Sequence, residues 1–126
     1  MSFSQNMQIV DFEAGADLSA KQYYFVDVSS DGQVDPAGDG LFAIGVLQNT
    51  PAAAGRAASV CVGGITKVSC AGTITKGNPV ASDTNGQAVA CATNDVILGE
   101  ALETGASGNV IAILFHPRAK AASATA

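Results

Sequence analysis

Ser30-Asp31-Gly32-Gln33 is written a second time as Thr84-Asn85-Gly86-Gln87, 54 residues further along the chain. At the same spacing Val26 meets Val80, Ile44 meets Leu98, Gly45 meets Gly99 and Thr50 meets Thr104. A turn that needs positive φ, followed at a fixed distance by a glycine inside an apolar run, specifies backbone geometry rather than surface chemistry. Each copy reads as strand, tight turn, strand, Gly-containing apolar strand, small-residue loop and strand. The recurrence predicts two similar β-units, about residues 24–63 and 78–115. A duplicated scaffold of this kind offers surfaces and does not by itself imply catalysis.

Outward from the turns, Tyr23, Tyr24, Phe25, Val26 and Val28 predict a strand closed by Asp31-Gly32. Asp35 to Gly40 is turn chemistry throughout. Leu41 to Gln48 predicts a strand interrupted at Gly45, where a bulge or a close backbone approach is expected. Ala57 to Gly63 and Ile65 to Ala71 predict two strands joined by a hairpin at Gly63-Gly64. Val80 to Ser82, Gln87 to Ala92, Val96 to Glu103 and Asn109 to Phe115 complete the second unit. Roughly nine short strands between turn signals define an all-β fold, a small β-sandwich or barrel.

Gln8 to Glu13 alternates well enough for a short strand, but residues 1–20 have no counterpart in the repeat. They are expected to form an extended N-terminal arm that gains structure by lying on a neighbour. Phe3, Met7, Ile9 and Phe12 are its candidate contacts with that neighbour, apolar enough to bury yet outside the repeated unit. The expected organisation is an arm over 1–20, a β-domain over 21–116 and a loose, flexible, low-complexity tail over 117–126.

The 126 residues suffice for one domain. Charged side chains are 13% of the chain, about half the usual share, while the hydrophobic fraction is 48% and the mean hydropathy +0.28. Much of the apolar excess is Ala and Val, which leaves a surface of small neutral side chains that burial in an assembly would relieve. The net charge of −5 and six scattered Lys and Arg do not make a phosphate-neutralising patch, which argues against direct nucleic-acid binding. The N-terminus lacks the basic and apolar regions of a secretory signal, and the longest apolar run, Val110 to Phe115, falls short of the ~20 residues of a membrane span. A protein made in a cytoplasm, with no membrane partner, is expected.

Catalytic chemistry finds little support. His116, the single histidine, stands beside Pro117 at the end of the last strand, with no nucleophile elbow in the chain. Asp27, Asp31, Asp35 and Asp39 offer oxygen donors every fourth residue, a candidate Ca²⁺ loop. An EF-hand places its ligands every second residue, however, and Asp before Gly is ordinary turn composition, so turn chemistry is preferred and no metal is expected. Glu100 and Glu103, three apart on a strand, point to opposite faces. No glycine-rich loop carries a phosphate-cradle signature, so no cofactor is expected. Cys61, Cys70 and Cys91 are odd in number and lack zinc-ligand spacing; they read as buried thiols, with a Cys61–Cys91 disulfide as the alternative.

Leu41-Phe42-Ala43-Ile44-Gly45-Val46-Leu47, a small-residue loop and Ala58-Ser59-Val60-Cys61-Val62-Gly63-Gly64 together resemble the head-decoration, or capsid cement, proteins of tailed bacteriophages. Lys76-Gly77-Asn78-Pro79-Val80 is similar to that family's Gly-Asp-Pro-Val turn, with Asn for Asp. Val96 to Leu102 and Gly105 to Leu114 resemble its closing strands, so the resemblance covers about residues 24–115. Ala81 and Ser82 stand where the family often has an aromatic after the turn. The resemblance implies a non-enzymatic virion protein on the capsid exterior, made in the host bacterial cytoplasm. It also implies a trimer that clamps neighbouring subunits of the major capsid protein. A tail-fibre or receptor-binding β-module is the alternative reading.

Overall fold

The computed structural model describes residues 5–118. Nine strands follow in chain order: β1 (Gln5–Ala14), β2 (Phe25–Ser30), β3 (Gln33–Pro36), β4 (Gly45–Leu47), β5 (Ala57–Ser69), β6 (Pro79–Ser82), β7 (Ala88–Ala90), β8 (Gly99–Ala101) and β9 (Val110–Phe115). They form one sheet of order β1-β3-β2-β4-β5-β9-β8-β6-β7, and an added β1–β5 pairing closes the first five strands into a small barrel. The fold is all-β.

The strand registers carry the repeat. Val26 pairs with Pro36 and with Gly45, and Val80 pairs with Ala90 and with Gly99, each partner 54 residues on. Positive φ recurs at the same spacing in Tyr23 and Gly77, Gly32 and Gly86, and Gly40 and Asn94, and one residue short of it in Gly55 and Gly108. The loop bonds recur as well. Tyr23 N–H donates to the Leu47 carbonyl and Gly77 N–H to the Ala101 carbonyl, both at 2.7 Å.

The repeat reaches beyond its sequence signature. β1 pairs with β5 through Ile9–Cys61, Val10–Val60 and Phe12–Ala58, and β5 pairs with β9 through Ile65–Leu114, Thr66–Ile113 and Val68–Ile111. β1 therefore stands to the first half of β5 as the second half of β5 stands to β9. The long strand belongs to both units, ending the first and opening the second. In the second unit a single parallel bridge, Cys70 to Ala88, takes the place of the Ala14–Val34 pairing of β1 with β3.

Two expectations are corrected. Of the expected arm, residues 5–14 are β1, bonded along the sheet of their own chain, Ala14 and Leu18 are buried, and residues 1–4 lie outside the described residues. The reason is the alternation of Phe12 and Ala14, which turns apolar side chains into a core that β2 to β5 leave open on that side. The hairpin expected at Gly63-Gly64 is a continuous strand. Gly64, at φ 100, stands where the main partner of β5 changes from β1 and β4 to β9.

Each unit has its own core, and the two cores match side chain for side chain. Leu18, Val26, Leu47 and Val60 fill the first; Ile74, Val80, Ala101 and Ile113 take the corresponding places in the second. The second core also takes in Phe25, Ala43 and Val46 from the first unit, and the Phe25 and Phe115 rings meet there with centroids 6.2 Å apart. Burial of such a side chain is worth ~1.5–3 kcal/mol, so these residues fasten the units into one body. At the far end of the tandem the counterpart of Val46 is Glu100, paired with Arg118 at 2.6 Å, while Arg118 N–H donates to the Ile97 carbonyl. A polar pair thus caps the face that, one unit earlier, is an apolar junction. The first two residues of the expected tail, Pro117 and Arg118, lie within the described residues; its remainder, 119–126, lies outside them.

Candidate interaction surface

With both cores closed, the remaining large apolar side chains on the surface are those available to a partner. Ile9 on β1 is 45% exposed. Leu41 and Phe42, in the loop between β3 and β4, are 60% and 47% exposed. On the second unit Leu102, Val110 and Leu114 are exposed around the β8–β9 pair, where Leu102 N–H donates to the Ala112 carbonyl at 2.9 Å.

The four contact candidates from the sequence differ in exposure where they are described. Met7 is half-buried, Ile9 exposed, and Phe12 half-buried against the first core; Phe3 lies outside the described residues. Leu41 and Phe42 are expected in a strand, yet β4 begins only at Gly45, so both stand free in the loop. A signal for this was present: the repeat counterpart of Leu41 is Asp95, a residue that no core position would accept.

The polar groups serve local structure. Asp83 accepts from the amides of Asn85 and Gln87 at 2.8 and 2.9 Å, building the β6–β7 turn. Asp27 and Asp35 face one another across β2 and β3, and Ser29 Oγ donates to Asp35 Oδ2 at 2.6 Å. Among the described residues no three His, Cys, Asp or Glu side chains converge as metal ligands would. His116 is exposed, with its backbone N–H on the Leu98 carbonyl. Cys61, Cys70 and Cys91 are buried thiols, and desolvation pushes the pKa of each upward. An open groove of about 440 Å³ lies between β1 and the β2–β3 turn, walled by Asp11, Phe12, Glu13, Asp31 and Gly32.

Two fused β-units, each with its own core, leave apolar side chains outside and carry a polar cap at the end of the tandem. The chain belongs to the phage cement protein family, whose model matches residues 4–116. Its fold is similar to that of the N base of head fibre gp8.5 from bacteriophage phi29, with a TM-score of 0.70 and 16% identity over 90% of this chain and 98% of that one. No curated protein matches it. The protein is therefore a structural component of a phage capsid, and so of the virion.

Proposed function

We propose that the protein sits on the outside of the shell and bridges neighbouring subunits of the major capsid protein, without catalysing a reaction. The observation that carries this reading is the presence of exposed apolar side chains on both of two units that share a core, Leu41 and Phe42 on the first and Leu102 and Leu114 on the second. A clamp requires two contact surfaces held at a fixed separation, and the buried Phe25–Phe115 junction supplies the fixed separation. Several modest contacts of this kind add through effective concentration, so no single deep site is needed.

In this reading the working form is a trimer, assembled after synthesis in the host cytoplasm, and Met7 and Ile9 contribute to its contacts with coat or sister subunits. The test is co-sedimentation of the purified protein with expanded shells that lack it, together with the temperature at which those shells break. Saturable binding and a raised rupture temperature support the reading. Shells that remain bare, or that bind without gaining resistance, overturn it.

A further inference from the structure

The groove beside β1 has a repeat counterpart, and that counterpart is filled. Asp11, Glu13, Asp31 and Gly32 of the first unit correspond to Lys67, Ser69, Asn85 and Gly86 of the second. Residues 23–25 of the first unit lie between those second-unit walls. Ser69 N–H donates to the Tyr23 carbonyl at 2.9 Å, and Phe25 N–H donates to the Gly86 carbonyl at 2.7 Å. The Lys67 ammonium stands 5.8 Å from the centre of the Tyr23 ring. A short piece of chain is thus bonded to both walls of the second-unit site.

In the first unit the same walls bond to each other. Glu13 N–H, the counterpart of Ser69 N–H, donates to the Gly32 carbonyl at 2.9 Å, and the open groove lies over that bond. An entering strand could take both groups: Glu13 N–H would pass to an incoming carbonyl, and the Gly32 carbonyl would accept an incoming N–H. One wall-to-wall bond is replaced by two, the usual gain in strand addition.

The wall chemistry selects the occupant. Where the second unit has one cation and two neutral side chains, the first has three exposed carboxylates, Asp11, Glu13 and Asp31. We propose that this groove is a docking site for an extended, Lys- or Arg-bearing segment of a partner protein, added as a short strand between Glu13 and Gly32. Charge complementarity would steer and select that segment, and the backbone bonds would hold it. The proposal stands apart from the bridging of coat subunits and does not depend on it.

The test is an amide NMR titration of the full chain with a capped peptide, Lys-Gln-Tyr-Tyr-Phe-Lys, patterned on the segment that fills the second-unit site. A second peptide, Glu-Gln-Tyr-Tyr-Phe-Glu, reverses its charge. The cationic peptide is expected to shift the Glu13, Gly32 and Gly55 amides saturably, and to bind about fivefold or more weaker when salt is raised from about 20 to about 200 mM. The Glu13→Gln/Asp31→Ser variant, with its melting curve unchanged, is expected to lose about fivefold in affinity. Equal binding of the acidic peptide, or no saturable shift at these amides up to about millimolar peptide, overturns the proposal. Should the double variant fail to fold, the salt dependence and the reversed peptide on the unaltered protein still decide.

Discussion

Gly45 lies directly against the carbonyl oxygen of Cys61 on the facing strand, so close that a Cβ would overlap it, and Gly99 lies in the same way against the carbonyl of Leu114. The close approach lets β4 and β8 pack tightly on β5 and β9. An added methyl meets backbone, which cannot rotate aside as a side chain would. Gly45→Ala and Gly99→Ala are each expected to cost about 1–3 kcal/mol in denaturant unfolding. Gly72, with nothing within 4 Å of the added atom, is the control, and Gly72→Ala should stay within about 0.5 kcal/mol.

Tyr23 holds φ 68, and its repeat counterpart Gly77 holds φ 86. The tyrosine is kept in this left-handed conformation by its amide on the Leu47 carbonyl and by Lys67 over its ring. Removing the ring forfeits the second contact in any variant, so glycine and alanine at this position differ mainly in backbone cost. Tyr23→Gly is expected to be more stable than Tyr23→Ala by about 1 kcal/mol, the reverse of the usual ranking. Matched chemical melts of the two variants check this, and an alanine variant of equal or greater stability contradicts it.

The buried thiols make the fold sensitive to alkali. Desolvation raises the folded-state pKa of Cys61, Cys70 and Cys91 above the ordinary 9.0, so the folded protein holds these protons more tightly than the unfolded chain does. Their contribution is complete below the ordinary thiol value and is lost as pH rises from there through the folded value. Stability should therefore decline on the alkaline side, and replacing all three with alanine or valine should flatten that decline. In the native protein the thiols should react with a disulfide reagent far more slowly than after unfolding.

β1 is expected to be indispensable to the first unit. Phe12 packs on a core that also holds Val26, Leu47 and Val60. Phe12→Ala should cost about 2 kcal/mol or more, whereas Ile9→Ser, at an exposed position, should change stability by less than about 0.5 kcal/mol. Deleting residues 1–13 should abolish the cooperative melt of the first unit. A truncated chain that melts like the full one contradicts the place of β1 in the sheet.

The sequence displayed the turn and glycine spacings because those positions have few chemical solutions. Gly32 and Gly86 need positive φ, and Gly45 and Gly99 need a missing Cβ. It hid the kinship of β1 with the second half of β5, where apart from Ile9 and Ile65 the paired positions hold different residues, Phe12 against Val68 and Asp11 against Lys67. The spacing there is 56 rather than 54, so a constant-offset comparison passes over it. Gly63-Gly64 carries the composition of a hairpin, yet β1, β4 and β9 supply partners on both sides of the glycine pair and keep the strand continuous. The acidic groove was invisible because its meaning lies in what fills the matching site one unit away, which only the packing of Tyr23 and Phe25 reveals.

The most direct test of the capsid role is an electron cryo-microscopy map of the mature particle of the phage that encodes this protein, at a resolution that resolves strands. Density is expected on the outer surface into which both units fit, with Leu41 and Phe42 of one unit and Leu102 and Leu114 of the other against different coat subunits. A particle whose outer surface lacks this density, or density that touches a single coat subunit through one unit alone, would contradict the capsid role.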